Sequence, residues 1–236
     1  MIHGGPEQKQ RAQDQAFVDS LIPRIRESGH DGRLGVAVAE NLPCILSGET
    51  DTLQILSKDQ LVENAYCYGI GAEIGYEEMN TCIGAFAYKN PDMKILAMGA
   101  GTVGANLLAM TLTHYLEQEA DVPWYNHYSF TDKLTNFFEK AKGLFKAQFN
   151  HISFRVLQVE ADPSEQGFEA KTYDLIIVSN TIHATKNLDI TLANTRKLLR
   201  PGGNSSFLKR VYSFVIRTAF TFGVLPGRWL RQVVPE

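Results

Sequence analysis

The sequence predicts an α/β fold built on a doubly wound parallel sheet, for three reasons. First, short apolar segments alternate with helical patterns after residue 90, and such alternation is typical of a parallel sheet covered by helices on both faces. Second, YDLIIVS at Tyr173–Ser179 is a continuous apolar run, as expected of a strand buried on both faces. Third, a glycine-rich turn at 99–104 follows another apolar run and precedes a helical pattern, which indicates a strand–helix turn.

The composition limits the class of protein. The chain has 236 residues, 44% of them hydrophobic, which suits one globular domain with an appended segment. A net charge of -3 gives no basic field for nucleic acid, and three scattered cysteines predict neither a disulfide framework nor a zinc site. The first ten residues are polar, and the apolar stretch 211–226 is interrupted by Arg217. We therefore expect a cytoplasmic protein with no signal peptide, no membrane span and no metal.

Residues 1–90 are predicted to form a mostly helical segment that leads into the core domain. Apolar side chains at a spacing of four indicate a helix over 8–27, which Pro23 should kink or split. An apolar segment at 34–48 is predicted to break at Pro43. Two further helical patterns lie at 52–63 and 77–88.

The core domain, residues 91–236, is predicted to begin after the Asn90-Pro91 break. Apolar runs in it predict strands at 93–98, 128–131, 152–159 and 173–179. Helical patterns lie at 105–118, 134–149 and 188–199. The last helix is predicted to end at RPGG, residues 200–203, because Pro and Gly close helices.

The glycine-rich turn is a candidate ligand site. Gly99, Gly101 and Gly104 spell G-x-G-x-x-G; glycine permits a tight turn and a close approach of backbone to ligand, and the following helix N-terminus favours negative charge. The motif alone leaves three interpretations open: a turn without a ligand, a dinucleotide site, or a site for a methyl donor. A dinucleotide site has its ribose acid about 20 residues beyond the glycines, whereas the first acid after the second strand, Asp132, lies further on.

Longer motifs distinguish these interpretations. They are ILSGETDTLQIL (45–56), YKNPDMKIL (88–96), YSFTD (128–132), FFEKAK (137–142), SFRVLQVEADPSEQGFEAKTYDLIIVSNTIHAT (153–185), TLANTRKLLRPGG (191–203) and FGVLPGRWL (222–230). Over about residues 45–230 the chain closely resembles the C-methyltransferase domain of fungal highly reducing polyketide synthases. The resemblance implies a Rossmann-like class I methyltransferase fold and S-adenosylmethionine as cofactor. It also implies a β-ketoacyl chain on an acyl carrier protein as substrate, and other polyketide synthase domains as partners.

The resemblance also implies roles for particular residues. His183, in SNTIHAT, matches the catalytic histidine, which removes the proton from the carbon to be methylated. Asp132 matches the position that holds the ribose, and Asn180 would line the donor pocket. The cofactor-binding residues implied are Ala97, Gly99, Ala100, Gly101, Thr102, Asp132, Gln158, Val159 and Asn180. Without the family match, His183 would be a loop or helix-cap residue, Asp132 a helix N-cap and Asn180 a turn residue.

Four positions depart from the family pattern. Ala97 replaces an acid, and the loss of one charge-assisted hydrogen bond would cost about 1.5–3 kcal/mol of donor binding. Val103 replaces a glycine, and Gln158 replaces an aspartate whose acceptor role an amide can share. Lys209 stands where the family has the glutamate partner of the catalytic histidine. A lysine there would lower the pKa of the His183 imidazole and disfavour the protonated form that catalysis creates.

These departures leave two interpretations of the methyltransferase. One is an active enzyme with His183 as its base. The other is a pseudo-methyltransferase that keeps the fold and serves a structural or docking role, or a remnant of a truncated synthase. We expect the C-terminal strands of the family fold to be missing, because the sequence stops soon after LPGRWL. A nicotinamide-dependent oxidoreductase rests on G-x-G-x-x-G alone and leaves SNTIHAT unexplained.

Overall fold

The structure is a computed structural model, and it describes residues 10–11, 13–101, 125–144, 150–182, 185–208 and 220–224. The chain divides into two compact units, one within residues 1–70 and 211–236, the other within 71–210. The predicted organisation, a helical segment at 1–90 ahead of a core domain at 91–236, stays a prediction.

The first unit is helical. Its helices are α1 (Gln15–Glu27), α2 (His30–Ser47), α3 (Thr52–Ser57) and α4 (Leu61–Tyr68), with a 3₁₀ turn at Lys58–Gln60 between the last two. Asp14 and Asp51 cap α1 and α3 through side-chain oxygens that accept backbone N–H groups. A buried cluster of Leu34, Val38, Leu56 and Ala65, with Phe222 and Val224 packed against it, forms the core of this unit.

Pro23 and Pro43 each lie inside a continuous helix, so Pro23 does not split α1 and the predicted break at Pro43 is wrong. A kink at Pro23 stays a prediction. Each proline removes only one backbone hydrogen bond. The two helices, of 13 and 18 residues, keep the bonds of their other turns and therefore continue through the proline. The chain changes direction instead at Gly29, whose φ of 128° is readily adopted only by glycine. The helix predicted over 52–63 is interrupted because Asp59 and Gln60 adopt left-handed backbone conformations.

The second unit contains helix α5 (Ala72–Lys89) and a five-stranded sheet. Strands β1 (Lys94–Met98), β2 (His127–Asp132), β3 (Ile152–Val156), β4 (Tyr173–Ser179) and β5 (Leu199–Leu208) are all parallel, in the order β3-β2-β1-β4-β5. Helices α6 (Asn136–Leu144) and α7 (Leu188–Leu198) connect successive strands. The helix predicted at 105–118 lies outside the described residues.

Helices cover both faces of the sheet, which confirms the doubly wound α/β fold. On one face, the Phe138 ring of α6 lies 6.2 Å from Phe130 and 6.0 Å from Phe154. On the other, the Thr195 hydroxyl of α7 lies 3.6 Å from the Met98 sulfur. The parallel register brings the carboxyl ends of the strands to one edge of the sheet, which is where ligands bind in open α/β sheets. We call it the carboxyl edge.

Helix α7 ends at Leu198, just before the RPGG motif at 200–203, as predicted. The motif itself lies inside β5, where the pairing with β4 shifts register and Gly202 adopts a φ of 80°. Ser205 and Ser206 would weaken a strand that is buried on both faces. Among the described strands, however, β5 pairs with β4 alone, and all of its residues are exposed or partly exposed, so serine is tolerated there.

Candidate functional site

The glycine turn after β1 is tightly held at the carboxyl edge. Gly99 has a φ of 64°, and a Cβ on it would lie 2.3 Å from the Thr181 side chain. A Cβ on Gly101 would lie 2.4 Å from the Phe137 ring. Between them, the Ala100 N–H donates to the carbonyl of Thr131 at 2.9 Å. Glycine is therefore required at both positions, by backbone conformation at the first and by close packing at both. Thr102, Val103 and Gly104 lie outside the described residues.

Asp132, at the end of β2, connects this turn to the sheet. Its Oδ2 accepts the Gly101 N–H at 3.0 Å and its Oδ1 accepts the Leu134 N–H at 2.9 Å. The residue is only 8% exposed. A carboxylate has about four acceptor positions, so two remain for a ligand. Because α6 begins four residues later, at Asn136, Asp132 is not its N-cap, and that alternative is wrong.

Ala97 lies in β1, two residues before the glycine turn, and is 3% exposed. Its register partners are Phe130 in β2 and Ile177 in β4, and its carbonyl accepts the Thr131 hydroxyl at 2.6 Å. Its methyl side chain supplies no acceptor. A carboxylate at this position would start from a buried point of the strand, between apolar neighbours.

Gln158 and Val159 follow β3 in a segment with a well-defined backbone. The Gln166 side chain accepts the Gln158 N–H at 2.7 Å and donates to the Gln158 carbonyl at 3.0 Å. From α7, the Asn194 amide donates to the carbonyls of Val159 at 3.0 Å and Ala161 at 2.9 Å. The Leu157 N–H donates to the Asp132 carbonyl at 3.1 Å, which places this segment beside the end of β2. Gln158 itself is exposed.

The loop after β4 carries the predicted catalytic residue. Asn180 has a φ of 50°, typical of a turn asparagine, and its N–H donates to the Leu208 carbonyl at 2.8 Å. The Thr181 hydroxyl lies within 3.3 Å of the carbonyls of Met98, Gly99 and Ser179, which joins this loop to the glycine turn. His183 and Lys209 both lie outside the described residues, so their predicted roles and proximity stay predictions.

Several residues that support this edge were not singled out from the sequence. They are Glu160, Gln166, Thr181 and Asn194. Gln166 and Asn194 fall inside DPSEQGF and TLANT, two of the motifs that carry the resemblance, and they are polar residues whose side chains bond to backbone. A buried asparagine in the amphipathic pattern of α7 was the available signal for Asn194, which is 4% exposed.

No group of three His, Cys, Asp or Glu side chains suited to a metal ion occurs among the residues that the structure describes. Within the same residues, no helix is both long and apolar enough to cross a membrane. The pKa of the Asp162 carboxyl is lowered by its hydrogen bond to Lys197 and by the Ser164 N–H.

Comparison with known proteins agrees with this geometry. A methyltransferase-domain family matches residues 98–205. Highly reducing polyketide synthase 40 of Fusarium mangiferae is 41% identical over 99% of this chain, which spans 9% of that synthase. The trans-methyltransferase CalH, solved in complex with SAH, is 31% identical with a TM-score of 0.79, over 92% of this chain and 60% of CalH.

The CurJ carbon methyltransferase is 27% identical with a TM-score of 0.75, over 96% of this chain and 57% of that structure. The glycine turn, the acid at the end of β2 and the parallel sheet are thus found in a chain whose relatives in sequence and structure are methyltransferases and polyketide synthases. The chain therefore contains a methyltransferase domain with the class I fold, and the relatives that it matches are fungal polyketide synthases.

Proposed function

We propose that the chain is an S-adenosylmethionine-dependent C-methyltransferase that acts on the α carbon of a β-ketoacyl thioester on an acyl carrier protein. The observation that carries the proposal is the bond between the Gly101 N–H and the Asp132 carboxylate, which joins the glycine turn to an acid with acceptor capacity to spare. The family supplies the reaction class, and CalH was solved with SAH. The carrier protein and other polyketide synthase domains are its proposed partners, in the cytoplasm.

The residues at the carboxyl edge fit S-adenosylmethionine, which supplies a methyl group on a positively charged sulfur. Asp132 has two acceptor positions left for the ribose diol. A ligand can approach the backbone of Gly99, Ala100 and Gly101 closely, because none of the three carries more than a methyl group. Gln158, exposed and with its backbone fixed by Gln166, can accept or donate a hydrogen bond at the adenine.

His183 is the proposed base. The carbon between a ketone and a thioester is acidic, and a neutral imidazole with a pKa near 6.5 can remove its proton at neutral pH. A positioned base contributes about 10²–10⁴ in rate. In the sequence His183 lies between Ile182 and Thr185, which the structure describes in the loop that follows β4.

The first test is calorimetric titration of the chain with S-adenosylmethionine, with NADH in parallel. We expect a Kd on the order of micromolar for the donor and no heat with NADH. Transfer of a labelled methyl group to a synthetic β-ketoacyl pantetheine thioester then tests the reaction. His183→Ala should lower transfer by about 10²-fold or more. His151→Gln, at the amino end of β3, should leave it unchanged; an equal loss in both variants would exclude His183 as the base.

A second candidate is a pseudo-methyltransferase, and the buried Ala97 favours it, because it removes the acid that the family uses to hold the donor. Lys209 favours it as well, because a positive charge beside His183 would disfavour the protonated imidazole that catalysis creates. Absence of heat with the donor, on chain shown to be folded, would support this candidate. Lys209→Glu is the better restoring variant, since Ala97→Glu would force a carboxylate into the space between Phe130 and Ile177. A gain in methyl transfer by Lys209→Glu would show that the site is impaired rather than absent.

A further inference from the structure

One acidic side chain at the carboxyl edge bonds to the backbone of another segment of the chain. Glu160 lies in the segment after β3, two residues beyond Gln158. Its Oε1 accepts two consecutive backbone N–H groups, those of Lys186 at 2.7 Å and Asn187 at 2.8 Å. These donors belong to the loop after β4, the loop in which His183 lies. Glu160 therefore connects the proposed cofactor-binding segment to the loop of the proposed base.

The chemistry of this contact favours a carboxylate. Asn187 is the N-cap of α7, and its own side chain accepts the Ile190 N–H at 3.1 Å. The N–H groups just before a helix have no partner within the helix, and the helix dipole makes this end positive. A carboxylate that accepts two such donors forms charge-assisted bonds, which are stronger than neutral ones.

The loop is fixed on both sides of position 183. On its N-terminal side, the Asn180 N–H and the Thr181 hydroxyl hold it to β5 and to the glycine turn. The Thr185 N–H and hydroxyl both donate to the Ile182 carbonyl, at 3.2 and 2.8 Å, so the described residues on the two sides of position 183 are bonded to each other. On its C-terminal side, Glu160 supplies the side-chain contact from another part of the chain.

We propose that Glu160 is a positioning residue for methyl transfer, which fixes the loop of His183 relative to the segment of Gln158 and Val159. The proposal rests on the proposed function, because the role of His183 does. Glu160 itself is anchored, since Gln166 and Asn194 hold the backbone on both sides of it. A base must be aligned with the carbon it deprotonates, and a misplacement of about 1 Å can cost about 10²-fold in rate.

The test compares three variants. Glu160→Ala should lower kcat for methyl transfer by about 10–10²-fold, with the donor Kd and the thioester KM within about threefold of the parent values. Glu160→Gln keeps Oε1, the atom that accepts both N–H groups, and should recover most of the loss. Asp162→Ala is the matched control, because it removes an acid from the same segment. The Asp162 carboxylate bonds to Lys197 and Ser164 and not to the loop, so this variant should leave kcat unchanged.

Amide hydrogen exchange measures the loop without any turnover. In Glu160→Ala, exchange in peptides that cover 182–188 should rise by about tenfold or more, and in Glu160→Gln and Asp162→Ala it should stay near the parent rate. If the parent chain transfers no methyl group, the proposed function fails while the exchange data still decide whether Glu160 fixes the loop. Unchanged exchange and unchanged kcat in a folded Glu160→Ala variant would overturn the proposal. If that variant does not fold, Glu160→Asp, which shortens the reach by one methylene, replaces it with the same expectations in smaller degree.

Discussion

At the scale of single residues, the glycine turn is held by close packing at Gly99 and Gly101 and by the bond from Gly101 to Asp132. Gly99 combines a left-handed φ with a position where a Cβ would lie 2.3 Å from Thr181. The Thr181 side chain cannot move aside freely, because its hydroxyl lies within 3.3 Å of the carbonyls of Met98, Gly99 and Ser179 and donates its one hydrogen among them. A side chain at position 99 must therefore strain the backbone and displace a residue that joins two loops of the site.

Gly99→Ala should accordingly lower the free energy of unfolding by about 1–3 kcal/mol, the usual cost of a disfavoured backbone conformation with a clash. Urea unfolding followed by circular dichroism measures it. Gly143→Ala is the control, because Gly143 lies in α6 and a Cβ there would meet nothing within 4 Å. That variant should be more stable by about 0.5–1 kcal/mol. Equal stability of the Gly99→Ala variant and the parent would show that the turn has room for a side chain at position 99.

At the scale of elements, strands were predicted better than helices, and the reason is physical. An apolar run such as Tyr173–Ser179 is a direct signature of a strand buried on both faces, and the structure has that strand with the same bounds. The predicted break at Pro43 is wrong, because the neighbouring turns of the helix tolerate a single proline. Whether a break occurs is decided by the surroundings, which the sequence does not show.

The site was predictable only through whole motifs. The resemblance assigned Asp132 and the glycine turn, and the structure joins them by a hydrogen bond. It assigned no role to Glu160 or Gln166, although both lie within the quoted motifs. A bond from a side chain to the backbone of another segment produces no periodic pattern in the sequence. Such bonds can be found only when the two segments are seen side by side.

Helix α7 illustrates this dependence of one element on another. Its Asn194, 4% exposed, donates to the carbonyls of Val159 and Ala161. Asn194→Asp replaces the donor by an oxygen that faces two other oxygens, so we expect a loss of about 2–4 kcal/mol in the free energy of unfolding at neutral pH. Asp189→Asn, an exposed change in the first turn of the same helix, should change it by less than about 0.5 kcal/mol. Urea unfolding of both variants is the measurement; similar values would show that Asn194 does not hold the segment.

At the scale of the whole molecule, the two edges of the sheet differ in chemistry. The carboxyl edge carries Asp132 and Glu160, whereas the amino edge carries a basic and hydroxyl-rich group of side chains around a cavity of about 350 Å³. The residues that line it are Lys94, Asn126, His127, Ser129, Ser153, Arg155, Thr172 and Tyr173. His127 Nε2 lies 2.8 Å from the Ser153 hydroxyl. Since these side chains extend from β1, β2, β3 and β4 and the turns before them, their protonation is linked to the stability of the whole sheet.

This linkage predicts how stability depends on pH. The pKa of His127 is lowered from its ordinary value, first by burial and then by the positive charges of Lys94, His151 and Arg155. The unfolded chain takes up this proton near pH 6.5, whereas the folded chain takes it up only at lower pH. Between the two pKa values the unfolded state binds more protons, so the free energy of unfolding falls as the pH falls through this range and levels off below the folded pKa.

The measurement is the urea midpoint between about pH 7.5 and 5.5, a range set around the ordinary histidine pKa, for the parent and for His127→Gln. The variant has no ionisable group at this position and an amide that can still bond to Ser153, so its midpoint should fall less over the range. Asp162 also contributes a loss of stability in acid, because its pKa is lowered. That loss belongs to a more acidic range and is common to both proteins, so the difference between the two curves isolates His127. Parallel curves would mean that the folded sheet accommodates the imidazolium, and that the basic side chains around the amino edge do not oppose it.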